Sequence, residues 1–162
     1  MSRRTTVPQQ PSHPISYGTC IIYGLQAGLL GVAAMTTAEK LEQVFTGRPS
    51  SYVPGHTLAR LLGLPSRPDS ERFTLNMAMH YGQGAVAAIV RAFMSAGGVR
   101  GPFADFMFTA VRLGIDQTLE NWTGVGALPW TWPVNEQIVD LVHKAVYAFV
   151  AGYLTDRWIQ WQ

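Results

Sequence analysis

Residues 103–121, FADFMFTAVRLGIDQTLEN, set Asp105, Arg112, Asp116 and Glu120 into an otherwise apolar run. At 100° per residue the four fall within about 80° of one another on a helix, so they form a single charged stripe. Phe108, Val111, Ile115 and Leu119 are expected to cover the opposite face. In a soluble helix such a stripe faces water, but the neighbouring segments here are too apolar for that to be the only reading. Inside a bilayer the stripe has to face the interior of the protein. A ladder of charges there is costly unless its members pair, and it marks a functional site.

Working outward, 48% of the 162 residues are hydrophobic and 14% charged, the latter well below the usual quarter for soluble domains. The mean hydropathy of +0.09 suits a bundle with a polar interior better than uniformly apolar spans. The length fits one domain. The net charge of +2 comes from scattered basic residues, so no nucleic-acid partner is expected. Cys20 has no second thiol for a disulfide or a zinc site.

Residues 1–14 are rich in Pro, Ser, Gln and Arg and read as a disordered tail. Ile15 to Ala38 carries no formal charge, and as a helix it reaches ~36 Å, enough for a hydrocarbon core. Within it Gly24 and Gly28, and Ala27 and Gly31, stand four apart, a spacing that lets helices approach closely. Gln26 is expected to face the bundle. Residues 39–72 read as a polar connection with a short interfacial helix over His56 to Leu64, its ends fixed by Pro54, Pro65 and Pro68. Further spans are predicted at about 73–94, 103–121 and 134–158. Trp130 and Trp132 before the last span, and Trp158 and Trp161 after it, match aromatic belts. The expected architecture is thus all-α, an integral-membrane four-helix bundle over 15–158, with a polar interior and both termini on one side. A soluble tryptophan-rich bundle is the rival.

The second span repeats Asn76, His80 and Gln83 along one face, and the fourth carries Glu136, Asp140, His143 and Tyr147 within about 60°, with Lys144 beside them. If these stripes converge with Arg112, Asp116 and Glu120, the bundle encloses a polar chamber reachable from lipid. The plainer reading is that Arg112 pairs with Asp116, and Lys144 with Asp140, to tie helices together. For a di-iron carboxylate bundle the chain offers Asp140-x-x-His143 without a second copy. His80, His143 and a carboxylate could still make a mononuclear site, but neither metal nor cofactor is the expectation.

The runs Glu39-Lys-Leu-Glu-Gln, Thr46-Gly-Arg-Pro-Ser-Ser-Tyr-Val-Pro54, Asn76-Met-Ala-Met-His-Tyr-Gly-Gln-Gly84, Arg112 through Asp116-Gln-Thr-Leu-Glu-Asn121, and Pro129-Trp-Thr-Trp-Pro133 resemble a group of small four-span membrane proteins of bacteria and fungi. In size and acid-rich core the chain also resembles small membrane hydrolases of fungal polyketide clusters that open polyene epoxides. That resemblance implies a multi-pass membrane enzyme, endomembrane if fungal, acting on a lipophilic epoxide as hydrolase or cyclase. A homo-oligomer stays open. On this reading Asp116 or Asp140 activates a water or a substrate hydroxyl, and Glu120 or the other aspartate gives a proton to the departing oxygen. Arg112 keeps Asp116 ionised, and His80 and Tyr147 are second-choice donors. The alternative is a non-catalytic scaffold or permeation component whose buried charges only pair helices.

Overall fold

The computed structural model describes residues 15–160; the tail over 1–14, with Arg3 and Arg4, and Trp161 lie outside them. The described residues are helical and contain no strand. Five α-helices run in order: α1 Tyr17–Thr46, α2 Val53–Leu61, α3 Phe73–Ala96, α4 Gly101–Trp122 and α5 Val134–Gln160, with short 3-10 turns at Asp69–Glu71 and Pro129–Thr131.

Two boundaries correct the sequence reading. The first helix does not stop at Ala38 but continues two turns further, until Gly47 adopts a left-handed conformation (φ 70°) and its N–H bonds the Gln43 carbonyl at 2.9 Å. The connection over 39–72 therefore holds the end of α1 and all of α2. In α2, Pro54 sits inside the first turn rather than outside it, where its missing N–H costs nothing.

Packing is also less regular than a closed four-helix bundle. α1 lies along α3 and α5, α2 lies on α3, and α4 lies on α5, while α3 and α4 scarcely touch. The α1–α3 approach is set by glycine: a Cβ on Gly28 would stand 2.6 Å from the Ala85 Cα, and one on Gly24 2.6 Å from the Ile89 Cα. That is the contact the four-residue spacing predicts. Small residues such as Ala27, Ala87, Ala88, Ala148 and Ala151 fill much of the interior between Val32, Met35, Phe108 and Tyr147.

The large side chains are distributed inside out. Arg91 is 0% and Arg112 1% exposed, whereas Phe103 is 73% and Phe106 67% exposed. Leu29, Leu30, Val86, Leu141 and Phe149 also face outward. Two expectations fail here. Gln26 is exposed, because glycine and alanine already occupy the face of α1 that meets α3. Phe108 is buried, because it stands three residues from Asp105 and four from Arg112 and so shares their face of α4. Of the four expected spans, α1 and α5 are long and apolar enough to cross a membrane. α4 falls short because four formal charges interrupt it, and α3 because Asn76, His80, Gln83 and Arg91 dilute it.

Candidate functional site

The charged stripe of α4 divides between the two ends of the assembly. Asp105, at its N-terminal end, does not join Asp116; its Oδ1 accepts from Arg91 Nε and Nη2 at 3.0 and 2.8 Å. Asp156 of α5 completes this cluster, accepting from both terminal nitrogens of Arg91, from Ser95 and from the Gly101 N–H at 2.5–2.9 Å. Gly152 makes the room, since a Cβ there would overlap the Asp105 carboxylate. This cluster escaped the sequence reading, although Arg91, alone in an otherwise uncharged stretch, was its signal.

About three helical turns separate Asp105 from Asp116, where the stripe becomes a chamber. A cavity of about 580 Å³ lies between α1, α3, α4 and α5, closed over by the segment around Arg48–Val53 and by the loop after α4. Asn76, His80 and Gln83, then Arg112, Asp116 and Glu120, then Asp140, His143 and Lys144 all line it, so the three polar stripes do converge. α1 and the loop after it contribute Glu39, Lys40 and Arg48, which the sequence reading missed. Carrying the buried face of α1 one turn beyond Met35 reaches Glu39.

Asp116 is the centre of the charge network. Its Oδ1 accepts from Arg112 Nη1 and, at 2.7 Å, from Gln83 Nε2, and its Oδ2 pairs with Lys144 Nζ at 2.8 Å. Lys144 also donates to Asp140 Oδ1 at 3.0 Å. Lys144, placed beside the site by sequence, is thus a bridge between the two aspartates of α4 and α5. Glu120 lines the same wall, and among the described residues no hydrogen bond reaches its carboxylate. His80 Nε2 and Arg112 Nε are buried without a partner. Arg48 is held at 2.9 Å by Glu42 and reaches to 3.7 Å from Glu136. Its pKa lies above the ordinary arginine value, chiefly through the hydrogen bonds to Glu42.

Tyr147 is placed otherwise than expected, and Asn76 has a further role. Tyr147 does not line the chamber: its hydroxyl donates to the Gly84 carbonyl at 2.5 Å, with Arg112 over its ring at 5.3 Å. Gly31 and Gly84, which have no side chains to fill the space, let the ring in between helices. Asn76 lines the chamber, but its amide pins α2 to α3, accepting from the Gly55 N–H at 2.8 Å and donating to the Ser51 carbonyl at 3.2 Å. Among the described residues no group of three or more His, Cys, Asp and Glu side chains could hold a metal ion, so His80 and His143 do not form the mononuclear site considered above.

Comparison of the chain with protein families, curated proteins and solved structures finds no match. What the chamber can do therefore follows from its own groups. It holds a carboxylate fixed by three donors, a second carboxylate with one oxygen engaged, a third with none, and a buried imidazole. Such a set can hold an uncharged polar molecule and move protons at opposite sides of it.

Proposed function

We propose that the protein is a multi-pass membrane hydrolase or cyclase that opens an epoxide of a lipophilic, polyene-type molecule in the chamber. The membrane part of this reading rests on the inside-out distribution: arginines are among the largest buried side chains, and phenylalanines and leucines face outward. In water that arrangement would leave a large exposed apolar surface; in a bilayer it buries the costly groups and pairs them. On this reading α1, α3, α4 and α5 are the four spans and both termini share a side.

The catalytic part rests on one observation: of the five carboxylates that line the chamber, Asp116, Asp140 and Glu120 stand in three different states of engagement. Asp116, gripped by Arg112, Gln83 and Lys144, is a fixed counter-charge that positions Lys144. Asp140, with one oxygen on Lys144, takes a proton from a water, or from a substrate hydroxyl in the cyclase case, as that oxygen attacks an epoxide carbon. The carbon–oxygen bond breaks, and Glu120 or His80 delivers a proton to the departing oxygen. Water addition gives a diol, and proton exchange with water resets both groups. The assignment narrows the expected choice between Asp116 and Asp140 to Asp140, because both oxygens of Asp116 are already occupied.

The test is turnover of polyene epoxides by the purified full chain in nanodiscs. Asp140→Asn and Glu120→Gln are each expected to lower turnover about 10²-fold at unchanged abundance. A wild type inert on every epoxide tried, or variants as active as wild type, would hand the argument to a non-catalytic scaffold or permeation component. That second reading is favoured by the grip on Asp116, which ties α3, α4 and α5 together.

A further inference from the structure

The seam between α3 and α4 is where the helix assembly does not close. Against it lies a groove of about 420 Å³ lined by Leu58 of α2, Met79, Gly82 and Val86 of α3, and Ile115 and Leu119 of α4. Its walls are almost wholly apolar. Gln83 lines both this groove and the charged chamber, and its amide, 2.7 Å from Asp116, stands at the junction of the two. Each space falls in the range of about 300–1,000 Å³ that accommodates small molecules.

We propose that the groove is a lateral portal for one occupant, a single-chain amphiphile whose hydrocarbon chain lies between α3 and α4 and whose uncharged, oxygen-bearing head passes Gln83 into the chamber. The chain is specified by the apolar walls, since a polar occupant would be desolvated there without partners. The head is specified by the chamber. Its arginines and lysines are already engaged: Arg112 with Asp116, Lys144 with Asp116 and Asp140, Arg48 with Glu42, and Lys40 with the side chains of Gln43 and Ser50. Five carboxylates face four such basic groups there, so nothing is left over to attract an anion. Among the groups left unmet there are His80 Nε2 and the Arg112 Nε–H, the latter on a residue 1% exposed, and an uncharged oxygen can accept from Arg112. The proposal rests on the membrane reading above and gives its substrate a path and a shape.

Gly82 provides the test. A Cβ there meets nothing within 4 Å, so a large side chain at this position enters the groove rather than the protein interior. Gly114 on α4 has the same open surroundings but lines neither space, and serves as the control. The full chain in nanodiscs is photolabelled with a long-chain fatty alcohol carrying a mid-chain diazirine, and labelled peptides are quantified by mass spectrometry. Labelling is expected to concentrate in residues 79–87 and 115–119. Gly82→Phe, and Ala78→Phe as a second plug, should lower it roughly tenfold, equivalent to losing the burial of about two methylene groups. Gly114→Phe should label like wild type, and a diazirine alkane without a head should show no preference for the groove. The portal is overturned if the alcohol labels the outward faces of α1 and α5 as strongly as the groove, if the headless alkane matches it, or if neither plug reduces the signal. The readout is occupancy and not turnover. Concentrated labelling with no epoxide turnover would sink the enzyme reading alone, and turnover without concentrated labelling would sink the portal alone.

Discussion

At the end of the molecule where α3 turns into α4, Arg91 spends all five of its N–H donors on Asp105, Asp156 and Ser95, and it lines neither the chamber nor the groove. Near the other end Arg112 gives Asp116 one terminal nitrogen, leaves Nε without a partner, and looks into a chamber of about 580 Å³. Both arginines are buried and both face aspartates. The difference lies in satisfaction: a fully bonded ion cluster is a fastening, whereas an incompletely bonded one beside an open space has capacity left for a ligand. Buried charge alone would not have told the two apart.

The sharpest way to break this contrast is to delete the cation at the closed end. Arg91→Met leaves two aspartates buried without their partner and should cost about 3–5 kcal/mol, read as a large fall in thermal unfolding temperature in nanodiscs. An unchanged unfolding temperature would remove the distinction between the ends. Next in size, Gly152→Ala places a methyl where the Asp105 carboxylate sits and should cost about 1–3 kcal/mol in the same assay. At the open end, Lys144→Met strips a shared donor from Asp116 and Asp140 and should also cost about 1–3 kcal/mol, while abolishing most turnover if the proposed chemistry holds. Smallest of all should be His80→Phe. Removing an imidazole whose Nε2 has no partner should leave stability nearly unchanged or raise it, and a substantial loss of stability would show that His80 is part of the fastening.

The helices and the polar face of each were legible because both depend on local spacing. The 3.6-residue period groups His80 with Gln83, Arg112 with Asp116, and Asp140 with Lys144, whereas the meeting of these faces at one chamber, left open by the sequence, is set by the packing of the helices. The failures came where a choice between neighbours in space mattered. Asp105 sits on the same stripe as Asp116, so periodicity could not reveal that it pairs with Arg91 across the hairpin and with Asp156 of α5. Tyr147 shares a face with His143, yet the gap left by Gly31 and Gly84 draws its hydroxyl to a backbone carbonyl. Glu39, Lys40 and Arg48 were lost by ending the first helix where its apolar run ends, although its backbone continues to Thr46. The open seam between α3 and α4 had no signature in either helix alone.

The pairing of Arg91 with Asp105 bears on how such a chain could enter a bilayer during synthesis. On the proposed membrane reading, an isolated arginine or aspartate within a span is costly to pass from the translocon into lipid, by up to about 2.5–3.5 kcal/mol at the centre of the span. α3 and α4 are joined by only the short turn at residues 97–100, and the pair closes across that turn at 2.8 Å. Entering together as a helical hairpin, the two segments would neutralise each other's charge before either met hydrocarbon. Separated by a long inserted linker, they should be left behind as a translocated loop.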